Sequence, residues 1–315
     1  MFCYMEPPIE RPICQIITRR WSLGSMMICE AVKEVPTDAL AGWEDKAGVK
    51  YCVRELPGLK DATSHPADGL YHQSGTSAAV WTIGGGFIKV KAWRDDMQLE
   101  SDTIRFVNGR TEIPTPVVIH SWIDREYDRS FLIVEAVEGV TLDQAWSTMP
   151  PDTQVHVAQE VANYCKALSS ATSNRLETSD GKGVVEPFLT RPHNDEPSWK
   201  PQLLGPYTAE ELSAYLGGEF LVGFESEEFL YYHADLDPKN IIINDRGQVV
   251  AILDWESAAF YPSFWLGTKP MASPGFSLSA GERNSWAKHL TAALEVKGFP
   301  RNHSMFLSWR NSISR

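Results

Sequence analysis

Short apolar runs separated by glycine, proline and polar turns fill the first part of the chain, and apolar stripes at helical spacing take over further on. The run from Gln73 to Ile83 and the run from Phe87 to Lys91 flank Gly84, Gly85 and Gly86, a pattern that predicts a hairpin. Strand alternation places Phe87, Lys89 and Lys91 on one face of the second run. Between Asp96 and Val107, the residues Met97, Ile104 and Val107 fall at near-helical spacing, with Leu99 and Phe106 widening the stripe. The extended segment Ile113 to Pro116 leads into two more β-type runs, Val117 to Ile123 and Phe131 to Val137, around a polar turn. Later, Thr141 to Met149 reads as a helix, and Pro150, Pro151 and Asp152 punctuate the entry to a long one. That helix carries Val155, Ala158, Ala162, Cys165 and Leu168 as its stripe, with His156 outside it. The polar stretch from Ser169 to Pro206 reads as loop, exposed from Arg191 to Pro197. Thr208 with Glu211 then forms a capping box before a helix running to about Tyr215. Two terminal helices are expected, from Gly281 to Val296 and from Met305 to Trp309. The first 50 residues are the least patterned: Trp21 to Val35 reads as a short helix or strand, as does Tyr51 to Leu56 before Pro57 and Gly58.

Composition narrows the partners. A chain of 315 residues is long enough to bury a sizeable core. A net charge of −12 argues against nucleic acid or an anionic membrane as main partner and favours a cationic substrate. Five cysteines, odd in number and without C-x-x-C spacing, indicate neither a disulfide framework nor a zinc site. Glu6, Pro7, Pro8, Glu10 and Arg11 stand where a signal peptide would be apolar, and no apolar stretch reaches the ~18 residues of a membrane helix. A cytoplasmic protein is expected.

The densest chemistry lies between His233 and Glu256, which reads HADLDPKNIIINDRGQVVAILDWE. The apolar runs Ile241 to Ile243 and Val249 to Leu253 flank the turn-like Asn244 to Gly247, which predicts a second hairpin. Such a hairpin returns Asp254 to the segment holding Asp235 and Asn240. An acid, an amide and an acid converging in this way suit Mg²⁺ bridging phosphates.

The spacing of His233, Asp235, Asn240 and Asp254 resembles the catalytic loop and metal-binding aspartate of the protein-kinase-like fold. The step Asp254-Trp255-Glu256 and the sequence Asp235-Leu236-Asp237-Pro238 fit the aminoglycoside phosphotransferase and choline kinase superfamily, in the form of that domain abundant in fungi. The resemblance implies an α+β, protein-kinase-like two-lobed fold, with a small β-rich N-lobe carrying one helix and a larger, mainly helical C-lobe. The implied divisions are an extension of unclear structure over 1–50, an N-lobe over 51–134 and a C-lobe over 135–315. The implied activity is ATP- and Mg²⁺-dependent transfer of a phosphoryl group to a hydroxyl of a small molecule. Within it, Asp235 is the catalytic base, Asn240 and Asp254 hold Mg²⁺, and His233 braces the loop. Backbone N–H groups of Ser74, Gly75 and Ser77 cover the phosphates, Lys89 contacts them, and Glu100 pairs with that lysine. Lys91 competes with Lys89 for its role, and Asp102 with Glu100. The backbone from Glu135 to Val137 would take the adenine.

Two positions depart from many relatives, which have glycine where Ala234 and Lys239 stand; Lys239 is expected to face solvent. The aromatic run from Phe260 to Trp265 either stacks on a substrate or anchors its loop. A nucleotide-binding scaffold without turnover is the alternative reading, since Gly75 is the only glycine in its loop. A protein kinase fits less well, because no Ala-Pro-Glu follows Glu256.

Overall fold

The computed structural model describes residues 12–56, 65–191, 199–217 and 228–314. Most of the expected Arg191-to-Pro197 loop, the Pro57-Gly58 break and the first eleven residues lie outside these. The described residues group into two units. One draws on Met1–Asp95, Val117–Ala136 and Asn194–Pro201, the other on Asp96–Pro116, Val137–His193 and Gln202–Arg315.

The first unit is built from two antiparallel sheets. Strands β1 (Ile13–Ile17), β2 (Arg20–Leu23), β3 (Met27–Val32), β4 (Ala41–Glu44), β5 (Lys50–Glu55) and β6 (His65–Pro66) form one sheet in the order β4-β5-β3-β2-β1-β6. The weakly patterned Trp21-to-Val35 stretch therefore holds β3 and most of β2 around a turn at residues 24–26, and Tyr51 onward is strand to Glu55. Strands β7 (Leu70–Ser74), β8 (Ala78–Ile83), β9 (Gly86–Ala92), β10 (Val118–Asp124) and β11 (Arg129–Glu135) form the other, in the order β10-β11-β9-β8-β7. Leu23, Met27, Cys29 and Val53 from the first sheet share one core with Trp81, Ile88, Val90, Phe131 and Ile133 from the second. Facing apolar sides of two sheets are what a sandwich buries. The turns are tied as well: the buried Asp124 carboxylate accepts from the Ser25 N–H at 2.5 Å and from the Glu126 N–H at 3.0 Å.

In β9 the alternation appears as the sequence predicts, with Ile88 and Val90 buried and Phe87, Lys89 and Lys91 half-buried on the opposite side. The β8–β9 turn uses Gly84 and Gly85, both at positive φ (60° and 74°), as a two-residue hairpin turn requires.

The second unit is mainly helical. It comprises α1 (Glu100–Asn108), β12 (Val140–Thr141), α2 (Leu142–Ala145), α3 (Pro151–Leu168), β13 (Thr172–Ser173), β14 (Arg175–Leu176), β15 (Tyr207–Thr208) and α4 (Ala209–Tyr215). Then follow β16 (Phe229–Tyr232), β17 (Ile241–Ile243), β18 (Val249–Ile252), β19 (Ala259–Tyr261), α5 (Ser263–Ala272), α6 (Ser285–Val296) and α7 (His303–Ile313). Thr208 and Glu211 exchange the reciprocal bonds of the capping box at 3.2 and 2.7 Å. The helix expected over Thr141 to Met149 is one α-turn followed by a 3₁₀ turn, Trp146–Thr148, cut short by the two prolines. On α3 the buried face is Val157, Ala158, Val161, Ala162, Cys165 and Leu168, while Val155 is 43% exposed. At ~100° per residue Val155 sits about 100° from the centre of that face, so it belongs to the rim and Val157 and Val161 to the core.

The aromatic run after Glu256 anchors its loop. Phe260, Tyr261, Phe264 and Trp265 are all 7% exposed or less, and Phe264 packs against Trp309. Rings so covered have no face left for a substrate, so the stacking role does not hold. Beside them lies a buried ion pair. Lys269 Nζ donates to Glu186 Oε2 at 2.6 Å, and the Trp265 indole N–H donates to the same oxygen at 3.1 Å. Removing one partner of a buried pair strands the other's charge. Glu186→Ala is therefore expected to cost about 3–5 kcal/mol in urea-unfolding measurements, and a loss below about 1 kcal/mol, the scale of an exposed pair, would contradict the burial.

A second stability test comes from the β8–β9 turn. A Cβ added at Gly84 would lie 2.8 Å from the Tyr51 ring, in a backbone conformation side chains rarely adopt. Gly84→Ala should lower the unfolding free energy by about 1–3 kcal/mol, read from denaturant midpoints. Val296→Ala, at a side chain 83% exposed, serves as the control for ordinary substitution.

Candidate active site

The chain from β16 to β19 is a strand, a polar loop, a hairpin and a short turn, and each piece is apolar where it enters the core. Tyr231 and Tyr232 end β16 fully buried, and β16 pairs antiparallel with β19. Residues 233–240 form the loop. β17 and β18 then pair Ile241 with Ile252 and Ile242 with Ala251, so the predicted second hairpin is present. Its turn is closed by Asn244, whose side-chain oxygen accepts from the N–H groups of Arg246 and Gln248 at 3.0 Å each.

The hairpin brings Leu253 against the loop. The Leu253 N–H donates to the Asn240 carbonyl at 2.7 Å, and its carbonyl lies 3.0 Å from His233 Nε2. His233 is fully buried and its Nδ1 accepts from the Asp235 N–H at 3.1 Å. The ring must therefore be neutral with its proton on Nε2, given to Leu253. Trp255 packs edge-on to it at 4.5 Å. The Asn240 amide donates to the Asp235 carbonyl and to Asp235 Oδ2, both at 3.1 Å, which turns its own side-chain oxygen away from them. Asp254 follows Leu253 in the left-handed region, φ 62° and ψ 62°. Asp235, Asn240 and Asp254 are thus brought together within the second unit.

The remaining candidates lie as follows. Glu100 begins α1, and its Oε1 accepts from the Trp255 N–H at 3.0 Å, which ties this helix to the residue after Asp254. Asp102 is paired with Arg105 at 2.6 Å on the exposed side. Val137 belongs to the second unit. In the first unit, Lys89 and Lys91 share the non-core face of β9. Ser74, Gly75 and Ser77 lie at the β7–β8 turn, where the Ser77 N–H donates to the Ser74 carbonyl at 3.2 Å. Glu135 ends β11, and its N–H donates to the Val117 carbonyl at 3.0 Å. Lys239 is exposed, and its N–H donates to Asp237 Oδ1 at 2.9 Å.

The sequence profile of the phosphotransferase enzyme family matches residues 87–263, more than half the chain. The protein belongs to that family. The match runs from Phe87, two residues before Lys89, to the start of α5, and so takes in the whole loop and hairpin. No curated protein sequence matches the chain. Among solved structures it is similar to a thermostable mutant of aminoglycoside phosphotransferase APH(4)-Ia, at 17% identity over 81% of this chain and 87% of that one, TM-score 0.48. It is also similar to the streptomycin-ATP-APH(2")-IIa complex, at 14% identity over 76% and 79%, TM-score 0.41. A third is a putative aminoglycoside phosphotransferase from Ralstonia eutropha, at 17% identity over 78% and 75%, TM-score 0.42.

Three features of this phosphotransferase escape a reading of the sequence. Gly275, in the 3₁₀ turn Pro274–Phe276, faces the acids: a Cβ there would lie 3.7 Å from Asp237 Oδ2 and 3.9 Å from Asp235 Oδ1. Ser273-Pro274-Gly275 is legible as a turn, yet nothing in its spacing says what it packs against. The bond from Trp255 to Glu100 spans 155 positions, beyond any local pattern. The third is the isolation of Asp235. Burial first, then the negative charge of Asp254, push its carboxyl up to about 7, against the pull of Lys269. Burial likewise raises Asp237.

The sign of the stability effect follows. Asp235 holds its proton more tightly in the folded protein than in the unfolded chain, where a carboxyl titrates near ~4. Stability from this group is complete below that value and is lost as the pH rises toward about 7. In metal-free buffer, wild-type protein should lose more urea resistance between about pH 5 and pH 8 than Asp235→Asn, which cannot ionise and still accepts from Asn240. Parallel losses in the two proteins would contradict the isolation of this acid.

Proposed function

We propose that the enzyme transfers the γ-phosphoryl group of ATP to a hydroxyl of a small molecule. The observation that carries this is the convergence of Asp235, Asn240 and Asp254 on one hydrogen-bonded frame, inside the segment that matches the phosphotransferase family. Asp235 receives the proton of the acceptor hydroxyl. The freed oxygen forms a bond to the γ-phosphorus as the bond from that phosphorus to the β–γ bridging oxygen breaks, and ADP leaves. Such a transfer asks for alignment and charge more than for covalent help. The loop supplies alignment through His233 and Asn240, which fix the backbone on both sides of Asp235.

The donor set fits Mg²⁺. Asp254 offers a carboxylate and Asn240 an amide oxygen, both hard ligands, and Mg²⁺ takes one or two such groups together with substrate phosphates. Among the described residues no group of three or more His, Cys, Asp or Glu converges as a metal cage, so the phosphates would complete the shell. When bound, the ion would neutralise charge on the transferring group. Lys89 is assigned to the α- and β-phosphates, and the Ser74-to-Ser77 turn to covering the phosphates. An adenine would take the Glu135 carbonyl or the backbone of Val137, since the Glu135 N–H is engaged by Val117. The acceptor would stand beside Asp235, Asp237 and Gly275, where carboxylates favour a polyhydroxylated or cationic molecule.

Mg²⁺-dependent ATP consumption against a panel of amino alcohols and sugars tests the assignment. Asp235→Asn should turn over about 10²-fold more slowly or worse, the loss expected of a missing general base, and equal activity in the two proteins would remove Asp235 from the reaction. Asp254→Asn should raise the Mg²⁺ concentration needed for half-maximal rate about tenfold or more, the scale of losing a charged ligand. Wild-type protein that binds Mg²⁺-ATP without consuming it would favour the nucleotide-binding scaffold.

A further inference from the structure

Arg129, at the start of β11, is an unusual residue to bury. Its side chain is 1% exposed, and its guanidinium lies 4.4 Å over the Trp199 ring. One nitrogen, Nη2, points at the Thr76 carbonyl at 3.4 Å. Thr76 is the middle residue of the turn that joins β7 to β8, the turn assigned above to the phosphates. Its neighbours are held in the same manner. The Gly75 carbonyl accepts from the Gln73 amide at 3.0 Å, and the Ser77 carbonyl accepts from the Ala92 N–H at 2.7 Å. Three successive carbonyls are thereby directed to donors of the protein itself. In a planar trans peptide the carbonyl and the next N–H point opposite ways. The Thr76 carbonyl goes to Arg129, while the Ser77 N–H of the same peptide goes to the Ser74 carbonyl at 3.2 Å. That peptide is held from both sides and sets the shape of the turn, and with it the direction of its other N–H groups. Backbone N–H groups are what a phosphate binds in such a turn.

The arginine is held in place by a segment distant in sequence. Lys200 Nζ pairs with Asp128 Oδ2 at 2.7 Å, and Arg94 Nη1 donates to the Pro201 carbonyl at 3.3 Å. These bonds seat Trp199 to Pro201 over the first unit, and the Trp199 ring covers the guanidinium. Lysine at position 129 would keep the charge but not the flat surface that stacks on Trp199 while a second face donates.

We infer that Arg129 is a positioning residue for the nucleotide triphosphate: clamped under Trp199, it orients the Ser74-to-Ser77 turn through the Thr76 carbonyl. The inference rests on the reading of that turn as the phosphate loop. It is tested by calorimetric titration of full-length protein with ATP and, separately, with adenosine, both with Mg²⁺. Arg129→Lys should bind ATP about tenfold more weakly, the scale of one charge-assisted bond, with adenosine affinity unchanged. Trp199→Leu should shift ATP affinity in the same direction by a smaller factor, and it carries the test if Arg129→Lys fails to fold. An equal loss for ATP and adenosine would make Arg129 merely structural and overturn the inference. Lys89→Met separates the two levels. If it weakens ATP binding and the Arg129 and Trp199 variants do not, the clamp is wrong and the nucleotide site stands. If none of the three weakens ATP, the nucleotide reading of this sheet fails and the clamp with it.

Discussion

The backbone of Leu253 is gripped at both its N–H and its carbonyl, and the site depends on that grip. Its N–H goes to the Asn240 carbonyl and its carbonyl to the His233 ring. The hairpin and the loop are thus stitched through the backbone of one residue, so Asp254 cannot drift from Asp235 without breaking hydrogen bonds in a buried setting, where an unmade bond is costly. The neutral His233 makes this possible. It accepts from one backbone group and donates to the other, which only an imidazole with one proton can do.

Such rigidity holds charges where they are poorly tolerated. Two carboxylates sharing a partly dry site repel each other, and Asp235 answers by retaining its proton to about 7. Strain is placed alongside: Ala234 and Asp254 both sit at φ 62°, a region where glycine is at ease and alanine is not. The frame of Trp255, Glu100 and the β17–β18 hairpin is what keeps these two residues there.

Much of this was legible in the chain. Ile241 to Ile243, Asn244 to Gly247 and Val249 to Leu253 announce a hairpin because strand alternation and turn chemistry are local, and the hairpin alone returns Asp254 to Asn240. The same locality made Gly84-Gly85 and the Thr208–Glu211 box readable. Long-range packing was not. Trp21 to Val35 looked ambiguous because strands that form one side of a sandwich are defined by their partners. The sequence leaves Phe260 to Trp265 open between substrate stacking and loop anchoring because aromatic residues serve cores and sites alike, and only burial separates the two. Val155 fits the α3 stripe by spacing and misses it by angle.

The first unit shows a different economy. The loop around Asp235 is held by many hydrogen bonds within one short stretch of chain, so each is supported by its neighbours. The β7–β8 turn has three tethered carbonyls, and the tether at Thr76 comes from a single arginine whose own support, Trp199, lies 70 residues further on. A buried cation is stable only where stacking and donors compensate its lost hydration. That compensation is assembled here from β11, the β7–β8 turn and the Trp199 segment together. Substitutions at Asp128, Lys200 or Trp199 are then expected to reach the β7–β8 turn through Arg129.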